Sequence, residues 1–231
     1  MTIATNPRLS HLHNRHKGER CVLVGNGPSL NGMKLDFLRQ EYVIGLNKIF
    51  LGFSKFHFYP RYYVAVNAKV ISQSADEIKK INCVKFLSDH GSKGIVPEDA
   101  LTYHINTSRP PDRFCTNIAQ GVCEGWTVTF AAMQIAYFLG FKEVVLIGLD
   151  HRFKYSGQPN EAKFLKGKDP NHFSSDYFKD QYWDNPDFPH MEESYQIARS
   201  VFEQDNRRII DATVGGACTV FEKVDYHIFF Q

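Results

Sequence analysis

No apolar run in these 231 residues reaches the length of a bilayer-spanning helix, which needs about 20 predominantly apolar residues. The first twenty residues also lack the apolar core of a secretory signal. A cytoplasmic location is therefore expected, with peripheral attachment at the inner membrane as the alternative. Charge of one sign is lacking too: 27 Lys and Arg against 25 Asp and Glu leave a formal net charge of +2. No basic stripe with interleaved aromatics occurs, so nucleic acid is not an expected partner. The five cysteines (Cys21, Cys83, Cys115, Cys123 and Cys218) contain no Cys-x-x-Cys pair. That argues against a cysteine-built zinc site and fits a reducing compartment. Internal repeats and low-complexity tracts are absent, and so is the Gly-rich loop ending in Lys-Ser/Thr of a P-loop enzyme.

What is present reads as a globular chain, with 43% hydrophobic, 23% charged and 14% aromatic residues. Its length suits one large α/β domain, assigned here to residues 21–231. The leader, residues 1–20, ends in "HLHNRHKGER" with three of the ten histidines. It reads as a mobile basic tail in preference to a metal clip.

Short β-branched apolar runs then recur. Cys21–Gly25, Tyr42–Asn47, Tyr62–Asn67, Cys83–Ser88, Leu101–Ile105, Lys142–Asp150 and "RRIIDAT" at 207–213 read as strands. Ala68–Ile81, the nearly all-apolar "WTVTFAAMQIAYFLG" ending on Gly140, and "MEESYQIARSVFEQ" read as helices. Residues 151–189 carry no clear period, and a connection of that length suits a lid or binding loop, with disorder as the alternative. The alternation predicts an α/β fold: a Rossmann-like, doubly wound, mainly parallel sheet with helices on both faces.

Ligands of such sheets sit beyond the carboxyl ends of the strands. The first strand runs into "GNGPSL", which departs from the dinucleotide fingerprint at two points. Leu30 stands where the third glycine allows close packing, and Pro28 removes a backbone N–H. A nucleotide loop of another kind is expected at Gly25, Asn26, Gly27 and Ser29, with a phosphate at the N–H groups after Ser29 if a helical turn begins there. Asn26, Asn47, Asn67 and Asp150 each follow a strand. Singly, an asparagine ends a strand routinely; together they outline one crevice. An amide both donates and accepts, which suits ribose hydroxyls or a base edge. Asp150 can accept from a hydroxyl or amino group or help hold a divalent ion. Thr127, opening the apolar helix, joins the expected nucleotide contacts.

"VGNGPSL" together with "LGFKEVVLIGLD" resembles the bacterial sialyltransferases that decorate lipo-oligosaccharides from CMP-sialic acid. It also resembles a broader group, the 6-hydroxymethylpterin pyrophosphokinase-like family, many members of which lie in surface-polysaccharide (lipopolysaccharide-type) pathways. The tail "DATVGGACTVFEKVDY" is similar to the second group. The resemblance implies a Rossmann-like transferase in which Asn26, Asn47 and Asn67 contact the nucleotide and Asp150 stands at the strand end. It assigns the general base to His190, which precedes "EESYQIARSVFEQ". A histidine there also suits the role by itself, since imidazole titrates near neutrality; an exposed helix-end histidine is the plain alternative. Where the sialyltransferases carry tyrosines after the aspartate, this chain has Arg152 and Lys154, whose charge suits a di- or triphosphate better. Tyr155 and His172 are further substrate candidates, although His172 packing on Phe173 or Tyr177 is the simpler account.

The expected activity is thus an inverting glycosyltransferase using a CMP- or NDP-linked sugar, a glycan or small-alcohol acceptor, and no required cofactor. A diphosphotransferase moving pyrophosphate from ATP, with Mg²⁺ at Asp150, is the second reading. A non-catalytic nucleotide-binding module, self-associating or not, is the third.

Overall fold

The computed structural model describes residues 6–110 and 112–230. Its strands are β1 (Arg20–Val24), β2 (Tyr42–Leu46), β3 (Tyr62–Ala65), β4 (Val84–Ser88), β5 (Thr102–Ile105), β6 (Glu143–Ile147), β7 (Ala162–Leu165), β8 (Gln181–Asp184), β9 (Arg208–Asp211) and β10 (Glu222–Lys223). The helices are α1 (Phe53–Phe56), α2 (Ala68–Gln73), α3 (Ala75–Lys80), α4 (Asp89–Ser92), α5 (Val128–Leu139), α6 (Phe188–Gln204) and α7 (Tyr226–Phe229). Eight strands form one sheet in the order β10-β9-β6-β1-β2-β3-β4-β5, with every neighbour parallel. The expected α/β architecture is therefore the one observed.

The strands are apolar on both faces because both faces are covered. One core gathers Leu23, Ile44, Val64 and Phe86 with α5 and α6; the other gathers Val22, Val43, Tyr63 and Leu87 with the helices of the opposite layer. α5 is buried almost all round, which is why its sequence shows little amphipathic period. It packs against β1, β2 and β3 and against α6, whose own apolar stripe (Met191, Tyr195, Ala198, Phe202) faces inward.

Three expectations need correction. The leader is packed, not mobile, from Asn6 onward; residues 1–5 lie outside the described residues. Leu9, Leu12 and His16 fall on one side of the chain and are buried. The His16 ring stacks on Phe141 with centroids 4.6 Å apart, and its Nε2 lies 2.7 Å from the Tyr62 hydroxyl. The expected helix over Ala68–Ile81 is two helices, interrupted at Ser74 (φ −133°, ψ 22°). Residues 151–189 contain the antiparallel pair β7–β8, which periodicity missed because each strand has only four residues and half-exposed faces.

That segment is also anchored. Phe173 N–H donates to the Asn26 carbonyl (2.9 Å), and Gln73 Nε2 donates to the Tyr182 carbonyl (2.8 Å). The buried Lys48 donates to the Tyr177 carbonyl (2.8 Å) and to the Gln181 side chain (2.5 Å), and Lys69 pairs with Asp184.

Candidate functional site

The chain winds outward from β1 through β5, then returns along α5 to place β6 on the other side of β1. Loops on either side of this reversal separate, and a crevice opens between them. A cleft of about 690 Å³ lies there.

Beyond β1 and β6 the two backbones stay in register: Gly25 N–H donates to the Ile147 carbonyl (2.8 Å) and Gly27 N–H to the Gly148 carbonyl (2.9 Å). A side chain at Gly27 would put its Cβ 1.8 Å from Asp150 Oδ2. Asp150 needs that space because both its oxygens are engaged, accepting from Ser29 N–H (3.0 Å) and Ser29 Oγ (2.6 Å). Residues Pro28–Gly32 form a short 3₁₀ helix, so a helical turn does begin there, although no α-helix follows. The Ser29 N–H and hydroxyl are therefore committed to Asp150. Leu30 also finds its room. It packs fully buried against Gly148, so the missing third glycine is answered by a glycine on the facing strand.

Of the residues expected from sequence, the cleft brings together Gly25, Asn26, Gly27, Asn47, Asn67, Thr127, Asp150, Arg152 and His172. Ser29, Lys154, Tyr155 and His190 are outside its lining. Asn67 uses its side-chain oxygen to cap α2, accepting from Lys69 N–H (2.9 Å) and Val70 N–H (3.2 Å). Thr127 caps α5 in the same way. Asn26 donates its amide to the Leu46 carbonyl (3.1 Å), which fixes its oxygen as a buried acceptor with no partner. Asn47, held at φ +47°, has a buried unpaired oxygen too.

Four histidine–carboxylate pairs surround the cleft among the described residues, one of them the longer contact of His90 Nδ1 with Glu124 Oε1 at 3.8 Å. His172 Nδ1 lies 2.9 Å from Asp169 Oδ2 and its ring stacks on Tyr177 at 3.8 Å, the packing that the sequence suggested. Burial opposes the Asp169 charge, but hydrogen bonds from His172, Asn171 N–H and Phe178 N–H outweigh it and hold the carboxyl below its ordinary value. His190 occupies the first turn of α6 at the rim, half-exposed, with Nδ1 2.9 Å from Asp187 Oδ2 and its ring stacked on Trp126 at 4.7 Å. Asp187 caps α6, accepts from Asn160 Nδ2 (2.8 Å), and is likewise held low by His190 and Asn160 against the effect of burial.

The pair at His151 was not anticipated. His151, at φ +53°, places Nε2 2.9 Å from Glu192 Oε1 and leaves a buried Nδ1 unpaired. Glu124 was missed as well. It lines the cleft with a buried, unpaired Oε1, and burial raises its carboxyl above the ordinary value despite Thr107 and His90 nearby. Asn185 adds a third unpaired amide oxygen, its Nδ2 being committed to the Ser156 and Gln158 carbonyls. Only the adjacency Asp150-His151 signalled any of this in sequence; Glu124 and Asn185 sit in turn-rich stretches without a motif.

The wall is thus rich in free acceptors, and its cationic lining side chains are Arg109 and Arg152. Such a surface asks for ligand hydroxyls and amino groups along most of its length, and for a negative group near the arginines. As a magnesium site it is a poor fit. Asp150 is already engaged, and among the described residues no group of three or more His, Cys, Asp or Glu gathers to hold a metal.

The family described as 6-hydroxymethylpterin diphosphokinase MptE-like matches residues 1–156, more than half of the chain. Among solved structures, the MAf glycosyltransferase from Magnetospirillum magneticum AMB-1 shares the fold, with a TM-score of 0.58 at 13% identity. The match covers 94% of this chain and 37% of that one, so the chain spans little more than a third of that protein's length. No curated protein matches the chain. No helix of the described residues is long and apolar enough to cross a membrane.

Proposed function

Because this chain belongs to the 6-hydroxymethylpterin diphosphokinase MptE-like family, and because its switch-point cleft presents unpaired acceptors beside an oriented imidazole, we propose that it is a nucleotide-sugar-dependent glycosyltransferase acting by single displacement. The carrying observation is the acceptor-rich wall: Asn26, Asn47 and Asn185 oxygens match the hydroxyls of a nucleoside and a sugar, whereas a triphosphate would demand donors. Arg152, in the loop that follows β6, supplies charge for the departing phosphate.

His190 is the base in this reading. Its Nδ1–H donates to Asp187, which leaves Nε2 with a free lone pair. As the acceptor oxygen bonds to the anomeric carbon, its proton passes to Nε2. The bond to the phosphate breaks at the same time, and its electron pair leaves with the nucleotide.

The test measures donor binding and transfer separately. A thermal-shift panel of CMP, CDP, UDP, GDP and ATP, with and without Mg²⁺, identifies the nucleotide, since a ligand at 100 times its Kd adds about 2.7 kcal/mol. His190→Ala should then cut transfer by ~10²–10⁴-fold and leave nucleotide affinity intact. Transfer at the wild-type rate would move the base to His151 or His172. The family's description favours a second reading, diphosphoryl transfer from ATP; stabilisation by ATP alone, with strict Mg²⁺ dependence, would select it. Binding without turnover would leave a nucleotide-binding module.

A further inference from the structure

Building on the transferase reading, we propose that Glu124 and Trp126 form the acceptor subsite and that its occupant is a neutral pyranose, lying on the indole and donating a hydroxyl to Glu124. The ribbon that carries them is built to present them. Gln134, wholly buried on α5, accepts from Cys115 N–H (3.0 Å) and Cys123 N–H (3.0 Å) and donates to the Cys123 carbonyl (2.7 Å). Gly125 and Trp126 are then consecutive left-handed residues, at φ +55° and +64°. A side chain at Gly125 would put its Cβ 2.1 Å from the Phe130 ring. A tryptophan in that conformation costs on the order of 1–2 kcal/mol, so the fold maintains a strained backbone at this point. What the strain achieves is display: Trp126 is 44% exposed and lines the cleft, with His190 stacked on its ring.

A general base must come within about 2.6–3.2 Å of the proton it removes. One face of the Trp126 indole is covered by the His190 ring, with centroids 4.7 Å apart and planes 30° apart, so a pyranose takes the other face and its hydroxyls meet the imidazole only past the edge of the indole. Glu124 lies two residues away with a buried Oε1 that has no partner within hydrogen-bond distance, His90 Nδ1 standing off at 3.8 Å, and leaving such an acceptor without a hydrogen bond is costly. A flat apolar face beside a carboxylate oxygen matches the apolar C–H face and hydroxyl edge of a pyranose. It matches a phosphate not at all, which places the donor's charge elsewhere, at Arg152.

The chain has two tryptophans, so Trp183→Phe leaves Trp126 as the sole indole reporter. In that background the methyl pyranosides of glucose, galactose, mannose and N-acetylglucosamine are titrated without any nucleotide; at least one should quench or shift the emission saturably. Glu124→Gln should weaken that binding by roughly tenfold. In turnover with the identified donor, Trp126→Ala should raise the acceptor KM by roughly tenfold, while Trp126→Phe restores most of it and the nucleotide Kd stays constant throughout. Both replacements bear the same backbone strain, so their difference reads the ring alone. If CMP or UDP perturbs Trp126 and no glycoside does, the indole is a base platform and the proposal falls. Saturable binding of a serine-containing peptide in place of every glycoside overturns the sugar assignment. Because the emission titration needs no turnover, it judges this subsite even if no donor is transferred, whereas failure of transfer alone counts against the function proposed above.

Discussion

Replacing Gly27 by alanine tests the geometry on which the cleft floor depends. The new Cβ would stand 1.8 Å from Asp150 Oδ2 and 2.8 Å from the Gly148 carbonyl oxygen. The carboxylate can swing away, being the end of a side chain; the carbonyl belongs to a strand end and cannot. Swinging away breaks two hydrogen bonds to a charged acceptor, from Ser29 N–H and Ser29 Oγ, each worth about 1.5–3 kcal/mol when intact. Water partly replaces them at this half-buried site, so a net loss of about 3 kcal/mol is expected, or roughly 6–12 °C in Tm for a chain of this size. Urea unfolding should show a lower midpoint with an unchanged slope. The decisive measurement is the cycle with Asp150→Ala. Once the carboxylate is gone, Gly27→Ala should cost only about 1 kcal/mol, leaving a coupling of about 2 kcal/mol. Additive costs, or a loss below about 0.5 kcal/mol for Gly27→Ala alone, would refute the packing argument.

Two further outcomes follow from charged groups near the cleft. Burial lowers the Lys48 ammonium from 10.5 to about 8, partly offset by the charges of Asp169 and Glu77. Between those values the unfolded chain binds the extra proton, so stability should rise with pH from about 8 to 10.5, by at most about 3 kcal/mol, and Lys48→Met should abolish that slope in pH-dependent urea titrations. Arg152 lines the cleft and Lys154 does not, so Arg152→Ala should weaken nucleotide binding more than nucleoside binding in calorimetric titrations, whereas Lys154→Ala should leave both unchanged.

The sheet was legible because its signal is local. Each parallel strand is covered on both faces, so an uninterrupted run such as "CVLV" or "VVLI" suffices to mark it. What escaped was structure set by partners distant in sequence. Leu9, Leu12 and His16 look like part of a polar leader until Phe141 and Tyr62 are placed beside them. The strands β7 and β8 are held by Lys48, Lys69 and Gln73, all more than 75 residues from them or their loop. No window of the sequence contains both sides of such a contact.

The site divides along the same line. Residues at strand ends were found because topology sends every parallel strand's carboxyl end to one edge, so Asn26, Asn47, Asn67 and Asp150 needed only the strands to be recognised. Their individual roles did not follow from position. Asn67 spends its oxygen on a helix cap and Asp150 spends both of its oxygens on Ser29, whereas Asn26 and Asn47 keep theirs free. Which of four similar strand-end residues keeps an acceptor without a partner is decided by hydrogen bonds that the chain makes to itself first. Glu124 shows the converse: it follows no strand and belongs to no motif, yet it lines the cleft and its buried Oε1 has no hydrogen-bond partner. A residue's availability for chemistry is what remains after the fold has taken its share, and that remainder is a property of the tertiary structure.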